Sequence, residues 1–160
     1  MVAQPYYHAE PRRIVAPPPL RWLGVALAVL VVVLAALPIM MALDPAMTAG
    51  TITREDPSLS GPQLDFAVAA AIAYGAVLHV IYAAVAVWFG VKAMKGRGWA
   101  RIALTVLMVL ATANSLDSAS KGPEYLWWAI GGDVIHLVVL GLLWLPRSVR
   151  EFFAAHRSRA

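Results

Sequence analysis

WLGVALAVLVVVLAALPIMMAL, residues 22–43, contains no charged side chain and one potential helix breaker, Pro38. A helix rises about 1.5 Å per residue, so about 20 apolar residues cross the ~30 Å hydrocarbon layer of a bilayer. This run is long enough to do so. Arg12, Arg13 and Arg21 precede it and the small residues Ala46 and Ala49 follow, a pattern shared with secretory signals. Signal cores are shorter, roughly 7–15 residues, so the run is expected to stay as a membrane anchor.

Three further stretches repeat the pattern. Phe66–Val91 carries His79 as its one strongly polar member. Trp99–Ser118 grows polar at Asn114, Ser115 and Asp117, and Tyr125–Leu145 carries Asp133 and His136. The whole chain is 61% hydrophobic and 14% charged over 160 residues, with a mean hydropathy of +0.70. Soluble globular domains hold about 25% charged residues. A soluble all-α fold would also need a polar face on each helix, which runs this apolar do not offer. The expected fold is all-α, an integral membrane four-helix bundle with spans at about 22–43, 66–91, 99–118 and 125–145. The spans form a domain over 21–146, between a Pro-rich tail at 1–20 and a basic tail at 147–160.

Orientation follows from the basic residues. Arg12, Arg13 and Arg21 precede the first span, Lys92, Lys95, Arg97 and Arg101 separate the second from the third, and Arg147, Arg150, Arg157 and Arg159 follow the fourth. These hold eleven of the thirteen Lys and Arg. The other two segments hold Arg54 and Lys121, beside Asp44, Glu55, Asp56, Asp65, Asp117 and Glu124. The positive-inside rule then puts both termini and the middle loop in the cytoplasm. The net charge of +4 is a membrane-orientation signal in short clusters, and nucleic acid is not an expected partner.

The leader, with Pro5, Pro11, Pro17, Pro18, Pro19, Tyr6 and Tyr7, favours extended polyproline conformation. Residues 44–65 form the one sizeable external loop, and Ser60, Pro62 and Gln63 at its end resemble a capped helix start with proline in the first turn. Gly122 and Pro123 punctuate the second external loop. Arg97, Trp99, Arg101, Arg147 and Arg150 fall where headgroups should lie and are expected to be interfacial anchors. The tail from Arg147, with Val149, Phe152 and Phe153 among basic residues, is either a short amphipathic helix on the inner leaflet or a frayed basic end.

Polar groups at membrane depth are expensive and turn towards other helices or water. Counted from the cytoplasmic ends, His79 lies about 18 Å deep, Asn114 about 20 Å, Asp133 about 18 Å and His136 about 14 Å. Asp133 and His136, three apart, share a helix face. Ala67, Ala71, Gly75, His79 and Ala83 recur every fourth residue as a small-residue stripe on which another helix can pack closely. Gly131, Gly132 and Gly141 give the fourth span similar freedom.

The expected role of His79, Asn114, Asp133 and His136 is to hydrogen-bond one another or backbone carbonyls and fix helix register. Alternatives are a proton or substrate path, and b-type haem ligation by His79 and His136 from facing helices. A hydrolytic metal site lacks ligands of suitable spacing. With no cysteine in the chain, disulfides, thiolate nucleophiles and cysteine metal sites are excluded. Gly-rich phosphate loops, HExxH and GxSxG are absent from the sequence.

The GRGWARI start of the third span, Gly96–Ile102, and the LLWLPRSVREFF exit of the fourth, Leu142–Phe153, resemble small four-helix integral membrane proteins of unassigned function from high-GC actinobacteria. The resemblance covers spans two to four with the following tail. It implies a bacterial plasma-membrane protein and carries over no functional residue. The functional expectation is a non-catalytic accessory or scaffolding subunit without a cofactor. Its partners would be the lipid bilayer and other membrane subunits or further copies of itself. A small proton-coupled transporter and a haem electron carrier are the alternatives.

Overall fold

Prolines start four of the helical elements. In the computed structural model, which describes residues 15–158, α1 spans Pro18–Leu43, α2 Pro45–Glu55 and α3 Pro62–Met94. Next come α4, Gly98–Lys121, a single 3-10 turn at Pro123–Tyr125, α5, Leu126–Trp144, and α6, Arg147–Arg157. A proline in the first helical turn has no N–H to leave unpaired, and its fixed φ suits the helix. The Pro17–Pro19 run is therefore divided rather than extended throughout. Pro17 is extended (φ −68°, ψ 155°), and Pro18 and Pro19 are already helical. The leader up to residue 14, with Tyr6, Tyr7, Arg12 and Arg13, lies outside the described residues, as does Arg159.

Four helices, α1, α3, α4 and the 3-10 turn continued by α5, are long and apolar enough to cross a membrane. They agree with the runs read from the sequence, with ends shifted by a few residues. The largest extension is in α3, whose 33 residues reach about 50 Å and exceed a ~30 Å hydrocarbon layer. The loop at 44–65 holds an unforeseen helix, α2, which packs on α3 and buries Thr48 and Thr51. The helix start at its end differs from the expected Ser60 cap. Gly61 occupies the cap position at φ 55°, a conformation suited to glycine, and no side chain caps the helix that Pro62 begins.

The helices alternate in direction around a closed ring. Met94 Sδ at the end of α3 lies 3.8 Å from the position of a Cβ on Gly24, near the start of α1. Trp88 of α3 packs on Trp99 of α4 with ring centroids 5.7 Å apart, and Arg101 of α4 bonds Leu143 near the end of α5. The remaining contact, α5 with α1, closes the ring.

Tight packing is confined to one half of this bundle. Leu20, Leu23, Leu27 and Leu30 of α1 meet Ala86 and Ala93 of α3, Ala100, Leu104 and Met108 of α4, and Val139 and Leu143 of α5. All lie towards the end where α1 begins and α5 finishes. α6 covers that end with Val149, Phe152 and Phe153. The tail is thus helical, and its apolar face is spent on the bundle rather than left free for lipid.

Candidate functional site

His136 stands at the border between the packed half and the more open one. On α5 the buried positions Ala129, His136, Val139 and Leu143 follow a seven-three-four spacing, so the same periodicity that turns aliphatic residues inwards also turns the imidazole inwards. His136 is 4% exposed. A buried imidazole needs partners for both ring nitrogens, and neighbouring helices supply them. The Tyr82 hydroxyl of α3 lies 3.0 Å from Nε2, and the Thr112 hydroxyl of α4 lies 3.0 Å from Nδ1. Tyr82 meets the imidazole edge-on, with planes at 84°. The tyrosine hydroxyl has a second neighbour, Met108 Sδ at 3.6 Å.

Asp133, one turn before His136, places Oδ1 3.3 Å from Nδ1. This is ion-pair distance without hydrogen-bond direction, and Oδ1 is a buried oxygen with no hydrogen-bond partner. Ser115 Oγ, one turn beyond Thr112 on α4, is also buried and unpartnered. The polar interior therefore joins α3, α4 and α5, with two unmet groups on the side away from α6.

Two of the four polar residues singled out in the sequence belong to this cluster, and two do not. Asp133 and His136 are adjacent as their spacing implies. His79 is turned back on its own helix, with Nδ1 2.7 Å from the Gly75 carbonyl oxygen. Asn114 is on the exposed face of α4, because a residue two places from Thr112 is rotated by about 200° around a helix. Both ring nitrogens of His136 are engaged by hydroxyls, and Nδ1 of His79 by its own backbone. Among the described residues, no group of three His, Asp or Glu could hold a metal ion.

Tyr82 and Thr112 are the residues that sequence reasoning missed. Tyr82 carried a usable signal, since a tyrosine deep in an apolar helix needs a partner for its hydroxyl. Thr112 carried none, as threonine commonly bonds its own backbone in helices.

The small-residue stripe Ala67, Ala71, Gly75 and Ala83 is half-buried, and nothing approaches within 4 Å of a Cβ built on Gly75. The α3 glycine with a close neighbour lies nearer α6, at Gly90, where a Leu27 methyl occupies the space of a Cβ. Nor does any atom outside the local backbone come within 4 Å of a Cβ on Gly131 or Gly132.

Among the expected anchors, Arg97, Trp99, Arg147 and Arg150 are exposed, while Arg101 is only 7% exposed. Its guanidinium donates to the Leu143 carbonyl oxygen at 2.8 Å and stacks 3.6 Å from the Trp144 ring centroid. It also lies 4.9 Å from the Phe153 ring centroid. The last carbonyls of α5 lack helical partners, and α6 closes over the arginine that serves one of them. Arg101 is therefore a staple between α4, α5 and α6.

At the other end, Arg54 of α2 pairs with Glu124. Thr51 donates to the same carboxylate at 2.5 Å, which ties α2 to the turn between α4 and α5.

No protein-family model, curated protein or solved structure matches this chain.

Proposed function

We propose that this protein is a non-catalytic subunit of a bacterial inner-membrane complex, with both termini cytoplasmic, that associates through the open side of α3. The observation that supports this reading is the burial pattern of that helix. Of its 33 residues, only Val68, Ala86, Gly90 and Ala93 are buried. Phe66, Ala70, Ala73, Val77, Val80, Ala84 and Val87 are all exposed, at the alternating four-three spacing of a helix-pairing seam. Alanines at three of these positions permit close approach by another membrane helix.

The chain has no cysteine, so a single introduced cysteine reports association cleanly. Ala73→Cys and Ala84→Cys in native membranes should form disulfides with a second copy or crosslinks with a partner, whereas Ile102→Cys on exposed α4 should not. Uniformly monomeric, uncrosslinked protein overturns the reading. Sidedness is checked with Ser120→Cys, which an impermeant thiol reagent should label from outside, and Ser148→Cys, which it should reach only after the membrane is opened.

The convergence of Asp133, His136 and Tyr82 favours a second reading, a small proton-coupled carrier. Ionisable groups facing a bundle interior are typical of such pathways. Asp133→Asn should then abolish a proton-dependent flux in reconstituted vesicles, and unchanged flux in that variant removes this reading.

A further inference from the structure

We propose that His136, Asp133, Tyr82 and Thr112 form an intramembrane site that binds one proton reversibly. The proton is held on the imidazole against the Asp133 carboxylate, and Tyr82 re-aims its hydroxyl to accommodate it.

Each protonation state of His136 finds a complete set of partners. With hydrogen on Nδ1 alone, Nδ1–H donates to the Thr112 oxygen at 3.0 Å and Nε2 accepts from the Tyr82 hydroxyl at 3.0 Å. With hydrogen on Nε2 alone, Thr112 donates to Nδ1 and Nε2–H donates to Tyr82. The tyrosine hydrogen then turns to Met108 Sδ at 3.6 Å, a weak acceptor. With both nitrogens protonated, Tyr82 keeps that second arrangement, Nδ1–H donates to the Thr112 oxygen, and the added charge faces Asp133 Oδ1, 3.3 Å from Nδ1.

The carboxylate distinguishes this site from polar glue. A role limited to helix register needs a single neutral tautomer and two hydroxyls, and an additional carboxylate would only add a desolvation cost. Asp133 Oδ1 is buried and lacks a hydrogen-bond donor, and a positive charge on the imidazole 3.3 Å away offsets its own. Proton uptake from water changes an ionised Asp133 beside a neutral imidazole into a neutral pair. The Asp133 side chain is 20% exposed against 5% for His136, so it is the member of the pair on the approach side.

No other charge competes at this depth. α1 has no ionisable residue between Arg21 and Asp44, and α4 has none between Arg101 and Asp117. α3 contributes Tyr82 and, a turn away, His79, which is bonded to Gly75. α2 presents Arg54, paired with Glu124 beyond the span, and Glu55 at its end. The arginines of α6 are at the opposite end of the bundle.

The inference deepens the carrier reading without requiring flux. The test is nitrogen NMR of histidine-labelled full-length protein in lipid nanodiscs. His136→Gln assigns the signals, His79 serves as an internal control, and circular dichroism monitors folding. His136 should pass from neutral to imidazolium as pH falls. Asp133→Asn should move the midpoint about 1 to 3 pH units towards acid, the range for loss of a close opposite charge, and Asp133→Glu should restore most of that shift. Tyr82→Phe should change the Nε2 signal and keep the titration. An imidazole that stays neutral at every pH at which the wild-type bundle is folded overturns the proposal, as does a midpoint unmoved in folded Asp133→Asn. Should Asp133→Asn fail to fold, Asp133→Glu with a midpoint far from wild type overturns it equally. Titration as expected with no flux removes only the carrier reading.

Discussion

Leu27 of α1 places a methyl group in the space that a side chain on Gly90 of α3 would fill. Gly90 has no side chain, and Leu27, 4% exposed, fills the room that one would take. In a bilayer, where lipid is as apolar as leucine, such close fit replaces the hydrophobic effect as the force between helices.

Gly90→Ile should therefore destabilise the bundle by about 1 to 3 kcal/mol, the usual cost of overpacking, in reversible detergent unfolding. Leu27→Ala in the same chain should recover part of the loss. Gly75→Ile, with open space beside it, should cost far less than Gly90→Ile. Equal losses at the two glycines would contradict the packing described.

Gly96, in the turn between α3 and α4, has φ 79° and lies beneath the His156 ring. That ring is held over Phe152, with centroids 4.4 Å apart. Gly96→Ala should cost about 1 to 2 kcal/mol from the backbone conformation alone, plus displacement of α6. Adding His156→Ala should restore the docking of α6 without restoring the backbone term, measured as protease protection and unfolding midpoint respectively.

Arg101→Met removes the donor to Leu143 and the stack on Trp144. Loss of a charge-assisted bond in a sheltered site is worth about 1.5 to 3 kcal/mol. The loss should fall mainly on α6, so trypsin should cut after Arg150 and Arg157 faster than in wild type. Arg101→Lys should not rescue, since an ammonium has no planar face to stack. Cleavage rates equal to wild type would show that α6 is held independently of Arg101.

Arg54→Ala and Glu124→Gln test the tie on α2. The Arg54 side chain is 51% exposed, and exposed pairs contribute at most about 1 kcal/mol. The double-mutant coupling should be small in unfolding experiments, and larger in amide exchange of α2, whose attachment depends on few contacts. Exchange unchanged in both variants would place the hold on α2 in its packing against α3.

The four long helices were legible in the sequence because apolar length is a property of each segment alone. Residues 22–43 required no neighbour to be read as a span, and the expected orientation rests on the distribution of basic residues without any tertiary contact. The adjacency of Asp133 and His136 was legible for the same reason, since three residues along a helix fixes a shared face. The α2 helix escaped notice because PAMTAGTITRE, at 45–55, has no long apolar run to mark it. It owes its place to packing on α3 and to the Arg54 and Glu124 pair.

Tertiary structure decided which polar groups meet. Thr112 and Asn114 are two residues apart on α4, and both could satisfy an imidazole. The rotation of α4 against α5 turns Thr112 inwards and Asn114 outwards, and no local pattern encodes that angle. His79 and Tyr82 are three apart on α3, and the register of α3 against α4 and α5 brings Tyr82 to His136 while His79 bonds its own backbone. Rotation and register arise from the packing of Leu27 on Gly90 and of Arg101 against Leu143 and Trp144. These are contacts between residues distant in the chain, so the sequence alone determined which segments are long and apolar enough to span and where polar groups fall along them, and only the assembled bundle selected the ones that form a site.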